Sequence, residues 1–172
     1  MPGVTSLNSA ARISDTGPGP YVQSGGRVRT LTASTTLDAS YDDQTILLNA
    51  LAGLTVTLPP ATGSGAKYRI MVSVLATSNS YIVQVASATD FFVGMVYGER
   101  VDSGNATLGF AAANSGTVAT NSDTITLNRT TTGSVSVGEW IEVQDVATAT
   151  WFVRGLLSAT GAAFATPFSA AV

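Results

Sequence analysis

Residues 44–85 read QTILLNALAGLTVTLPPATGSGAKYRIMVSVLATSNSYIVQV: four apolar runs separated by turn residues, none long enough for a helix of ordinary length. Leu54, Val56 and Leu58 alternate with Thr55 and Thr57, which sets three aliphatic side chains on one face of a strand and two β-branched hydroxyls on the other. Pro59 and Pro60 end that strand, because each removes a ladder donor and fixes φ. After the 61–66 turn, Tyr68, Ile70, Val72 and Val74 alternate with Arg69, Met71, Ser73 and Leu75. A polar turn over 76–80 leads to Tyr81, Val83 and Val85, alternating with Ile82 and Gln84. These last two runs predict a long hairpin, and the period of two throughout predicts β structure.

The same pattern extends outward. Residues 27–33 and 45–49 read as strands, and 91–96 (FFVGMV) as a dense apolar strand in which Gly94 marks a bulge or a close backbone approach. Residues 103–122 are uncharged and predict a long loop or two weak edge strands. Ile125 and Leu127 face inward from 123–128, and 140–145 with 150–154 form a final hairpin. Its two tryptophans, Trp140 and Trp151, predict core or cross-strand packing; an exposed pair would instead offer a stacking surface for sugar.

The two ends differ from the middle. Residues 1–26 hold Pro2, Gly3, Gly17-Pro18-Gly19-Pro20 and Gly25-Gly26 among polar residues, too few spaced apolar positions to fold alone, and read as an extended arm that either frays or orders on a partner. Residues 156–172 carry no charge but contain Leu156, Leu157, Phe164 and Phe168, too apolar for a solvated tail. These four are the candidate interface with a second copy or another protein, with the chain's own core as the other host. The expected architecture is an all-β, two-sheet sandwich over 27–155 with jelly-roll or related Greek-key connectivity, the arm at 1–26 and a C-terminal extension at 156–172.

Composition removes whole classes of chemistry. The chain has no Cys and no His, so it lacks disulfides, thiolates, the usual general base and the commonest transition-metal ligand. Asp38, Asp42 and Asp43 crowd around Tyr41 without the order of a calcium loop, and read as a solvated turn. Asp90, Glu99 and Asp102 are the acidic grouping from which a glycosidase pair would have to come, and no aromatic sugar platform flanks them. The expectation is therefore no enzyme, no cofactor and no metal. Charged residues make up only 11% of the chain, and Ser plus Thr about a quarter, a composition suited to packing against other subunits. A net charge of −3 and eight scattered basic residues give no footprint for nucleic acid. The first fifteen residues lack a secretory signal, and the uncharged 70–89 span is broken by Thr77-Ser78-Asn79-Ser80, so neither export nor membrane insertion is expected.

Leu48-Asn49-Ala50, Thr55-Val56-Thr57-Leu58-Pro59-Pro60, Tyr68-Arg69-Ile70, Ser78-Asn79-Ser80-Tyr81, Gly138 to Val143 (GEWIEV) and Trp151-Phe152-Val153 together resemble the small β modules of tailed bacteriophage virions. The likeness covers about residues 30–155 and is to capsid decoration (cement) proteins; similar modules occur in phage tail fibres. The resemblance implies a structural protein on the capsid exterior, made in the bacterial host cytoplasm, with the major capsid protein and itself (a homotrimer) as partners. The alternative it leaves open is a tail-fibre module that binds host carbohydrate. Fibre modules are normally embedded in longer chains, whereas this one begins at Met1, which favours the capsid reading.

Overall fold

The computed structural model describes residues 27–102, 106–160 and 164–172, together with the backbone of two short strands, β1 (Ala11–Ser14) and β2 (Tyr21–Ser24). The remaining strands are β3 (Val28–Leu31), β4 (Thr35–Thr36), β5 (Gln44–Leu48), β6 (Leu54–Thr57), β7 (Lys67–Val72), β8 (Tyr81–Gln84), β9 (Phe91–Arg100), β10 (Thr107–Ala111), β11 (Thr124–Leu127), β12 (Trp140–Ala147), β13 (Thr150–Ala159) and β14 (Phe168–Ser169). The chain is all-β. A seven-stranded sheet in the order β10-β9-β13-β12-β7-β5-β3 packs on a five-stranded sheet, β14-β11-β8-β6-β4, as the two-sheet sandwich that the alternating runs predict.

The connectivity departs from the expected jelly roll. From β3 to β8 each strand passes to the opposite sheet, and the chain then lays its next strand parallel to the one it left: β3, β5 and β7 run parallel in one sheet and β4, β6 and β8 in the other. This half of the molecule is a short solenoid of three rungs, whereas a jelly roll is antiparallel. The predicted hairpin over 68–85 is accordingly an arch, with β7 and β8 in different sheets. An arch suits this sequence because it turns the apolar face of 68–72 toward that of 81–85, so that the two halves bury one another. Tyr68, Ile70, Val72, Tyr81, Val83 and Val85 are all buried.

Polar bonds clip the arches together. The Leu48 carbonyl accepts from Ser73 N (3.1 Å), Val74 N (3.1 Å) and Ser73 Oγ (2.8 Å). The Tyr81 hydroxyl accepts from Ala50 N at 2.9 Å and lies 2.8 Å from both the Ala50 and Val74 carbonyl oxygens. Gly53, at φ 73°, sits where a Cβ would come within 2.3 Å of the Ser80 carbonyl, so the stacking of the second arch on the third requires glycine.

The second half is antiparallel around one long parallel pair, β9 with β13, in register from Phe91↔Thr150 to Arg100↔Ala159. Gly94, at φ 118°, would put a Cβ 2.2 Å from the Val153 carbonyl, which is the close approach its position in FFVGMV suggests. The hairpin of β12 and β13 forms as expected, with a bulge between Asp145 and Ala147.

Residues 156–172 are not an extension laid outside the sandwich. Residues 156–159 continue β13, and Phe168 pairs with Ile125 in the second sheet. Leu157, Phe164 and Phe168 are buried by the chain itself, the Phe164 ring stacking on Phe110 at 5.0 Å; Leu156 alone of the four candidate interface residues is exposed, at 44%. Burial within one chain satisfies their hydrophobicity, which the sequence offered equally to a partner. Most of the predicted N-terminal arm lies outside the described residues; β1 and β2 pair with each other as a separate two-stranded sheet. Among the described residues no helix is long and apolar enough to cross a membrane.

Candidate functional site

Cross-strand register turns the outer face of the seven-stranded sheet into rows. One row runs Thr30, Leu47, Met71, Trp140, Leu156, Tyr97 and Gly109, each opposite the next on the adjoining strand. The row beside it is Val28, Thr45, Arg69, Glu142, Arg154, Met95 and Ala111. On the far side of the second row, Phe152 faces Val93. A solvent-facing side of a sheet is ordinarily polar. Here Tyr97 (49%), Leu156 (44%), Met95 (40%) and Phe152 (37%) are exposed together, with Leu47, Met71, Val93 and Trp140 half-buried between them. The exposed apolar residues join along β9, through Tyr97, Met95 and Val93, into a band that is unusual for a solvent-facing side.

A charged run, Arg69, Glu142 and Arg154, crosses this face between Leu156 and Phe152 and is tied to its neighbours. Arg154 directs Nη2 (2.6 Å) and Nε (2.8 Å) at the same Glu142 oxygen, and the Arg69 guanidinium lies 4.6 Å from the Trp140 ring centroid. Arg69 therefore covers part of the indole that a sugar would need. Trp151, by contrast, is fully buried against Tyr68 (5.9 Å between ring centroids), so the two tryptophans do not form an exposed pair. Two shallow depressions flank the band, one of about 180 Å³ lined by Asp43, Gln44, Thr45, Lys67, Arg69 and Glu142, the other of about 220 Å³ beside Leu156 and Ser136–Glu139. A larger cleft of about 540 Å³ on the five-stranded sheet, around Gly53, Thr55, Asn79 and Ile82, has no titratable lining residue.

The acidic candidates do not converge on a catalytic pair. Asp90 is buried before the start of β9, accepting from Ala61 N at 3.0 Å, while Glu99 is exposed near the strand's other end. Nine residues of extended chain separate them by about 30 Å, several times the spacing of a glycosidase pair. Asp102 pairs with Arg100 at 3.7 Å. Asp38 caps the following turn by accepting from Ser40 N, Asp42 accepts from Lys67 N, and Asp43 lies 3.5 Å from Lys67 Nζ. The solvated turn read from the sequence is what these three build.

Three buried carboxylates were not singled out by their sequence context. Glu139 gathers the Ser134, Val135 and Ser136 amides at 2.5–2.8 Å; burial pushes its pKa up, against the downward pull of those amides. Asp145 receives the Thr62, Gly63 and Ser64 amides and the Thr62 and Ser64 hydroxyls at 2.7–3.2 Å. Burial acts to raise its pKa, but the Ser64 hydroxyl and the three amides outweigh it and bring the carboxyl down to about 2. Asp123 likewise accepts from Thr124 Oγ1 and the Ala171 and Val172 amides. All four buried acids, Asp90 included, satisfy loop or chain-end backbone. Nothing in the local sequence QDVA signals the role of Asp145, because its donors come from the remote 62–64 loop, whereas those of Glu139 lie only three to five residues before it.

No protein-family model matches the chain, and no curated protein matches it.

Proposed function

We propose that this is a structural virion protein that binds the outer surface of a phage capsid as a decoration (cement) protein and stabilises the shell without catalysis. The observation that carries the reading is the apolar band on the outer face of the seven-stranded sheet, a broad β surface suited to lying on another protein. The buried carboxylates support it, since each is committed to holding the fold. Shell stabilisation follows from mass action: a protein that binds only the assembled shell favours assembly by about 2.7 kcal/mol per site at a hundredfold excess over Kd. Copies grouped as homotrimers would match three-fold positions of a shell. The test is co-sedimentation with capsids of the parent phage, using Leu156→Asp combined with Tyr97→Ser. Loss of binding with an unchanged melting temperature is expected; full occupancy by the variant would overturn the reading.

A second reading, a tail-fibre-type module that binds host carbohydrate, is favoured by the exposure of Tyr97 and Phe152 on one face. Arg69 over Trp140 and the burial of Trp151 leave it fewer ring faces than the sequence offered. Glycan-array binding that Tyr97→Ser abolishes would select it.

A further inference from the structure

The sandwich has four sheet edges, and three are guarded. β4 and β14 are two residues long. β3 carries Arg29 in the core-side row with Ile46, its guanidinium 4.5 Å from the Tyr41 ring centroid and bonded to the Ser40 carbonyl. A charge turned toward the core side of an edge strand is one of the devices by which sheets resist unwanted pairing. The fourth edge, β10, has none. Its sequence TLGFA contains no charge and no proline, and four of its five residues are exposed. Among the described residues no strand pairs with its far side.

Antiparallel pairing fixes which groups β10 offers. The bonds Arg100 N to Ala106 O and Ala112 N to Gly94 O bracket the ladder with β9, so Leu108 and Phe110 direct their backbone groups at β9. Thr107, Gly109 and Ala111 direct theirs outward.

We infer that β10 is a self-association edge, pairing antiparallel with β10 of a second copy about a two-fold axis at Gly109. This does not rest on the capsid reading. The occupant is a second copy because the strand complements itself. With Gly109 facing its own equivalent, Thr107 faces Ala111 of the second copy, giving about six main-chain hydrogen bonds. Leu108, 44% exposed on the core side of the strand, then meets Phe110 of the second copy in a non-hydrogen-bonded pair, where side chains approach most closely. On the outer side only small residues and Thr107 meet, and no like charges oppose one another. The result is one sheet continuous across two molecules, a two-fold contact that would also link neighbouring trimers on a shell.

The test is sedimentation velocity over a concentration series, with residue-resolved amide exchange at both ends of the series. Mass should rise toward twice the monomer, or toward linked pairs of any larger unit. Protection should appear at Thr107, Gly109 and Ala111 with concentration, while Leu108 and Phe110 stay protected throughout. Leu108→Lys, at an exposed position, and Ala111→Pro, which removes an outward donor only, should each weaken association by about tenfold or more. If Ala111→Pro fails to fold, Leu108→Lys alone decides. A concentration-independent mass, association that Leu108→Lys leaves intact, or new protection without the alternation would overturn the inference.

Discussion

Asp145→Asn isolates what one buried charge contributes to this fold. The carboxylate holds the 62–64 loop against the β12–β13 bulge by accepting five hydrogen bonds, four of them at Oδ2 and that of Gly63 N at Oδ1. Asparagine can place its oxygen at the Oδ2 position, but its NH2 then faces the Gly63 amide and the charge is gone. Depression of the pKa from 3.8 to about 2 corresponds to about 2.4 kcal/mol of native-state preference for the ionised form. For a chain of this size that lowers the melting temperature by about 5–10 °C. Because the folded pKa lies below the unfolded one, the contribution is complete above about pH 4 and is lost as pH falls through about 2. Urea unfolding of both proteins between pH 7 and pH 2 is the assay. The deficit of the variant should shrink across the acid end of that range. A deficit equally large at pH 2 and pH 7 would refute the reasoning, assigning the effect to packing rather than to charge.

Ile70→Ala and Ile141→Ala, both nearly inaccessible and facing each other across β7 and β12, should each cost about 2–5 kcal/mol in chemical denaturation; melting within a degree or two of wild type would contradict the face assignments. Gly94→Ala should be at least as damaging despite adding one methyl, because its Cβ would meet the Val153 carbonyl at a left-handed φ, and soluble expression with thermal melting checks it. Deleting residues 164–172 removes Phe164, Phe168 and β14, so it should lower the stability of the sandwich itself, visible as a reduced unfolding midpoint at any protein concentration. Tyr68, whose pKa burial and then the nearby Asp42, Asp38 and Asp145 push up to about 12, should resist ionisation, so that stability falls as pH rises from about 10 through 12; a spectrophotometric titration with every tyrosine near 10 would contradict this.

The strands were legible because their period of two is local. Leu54, Val56 and Leu58, then Tyr68, Ile70 and Val72, declare an inner face within a few residues. Whether two such strands join as a hairpin or an arch is decided by which apolar face meets which, and the 73–80 turn carries no residue that distinguishes them. Leu157, Phe164 and Phe168 show the same limit: their hydrophobicity demands cover, but only the tertiary fold says that the cover is intramolecular. The outer band was missed for a related reason. Leu47, Met71, Leu156 and Tyr97 sit far apart in sequence on strands whose inner faces are equally apolar, and only register brings them into one row.

The four buried acids also redistribute the charge that a partner meets. Asp90, Asp123, Glu139 and Asp145 are among ten described acidic residues, while none of the seven described basic residues is buried. Among the described residues the accessible surface therefore carries seven basic and six acidic groups, the other four carboxylates being held against backbone amides in the interior. At close range, contact through the apolar band or the β10 edge thus meets few unbalanced surface charges, while the net charge of −3 sets a modest, salt-screened repulsion between copies.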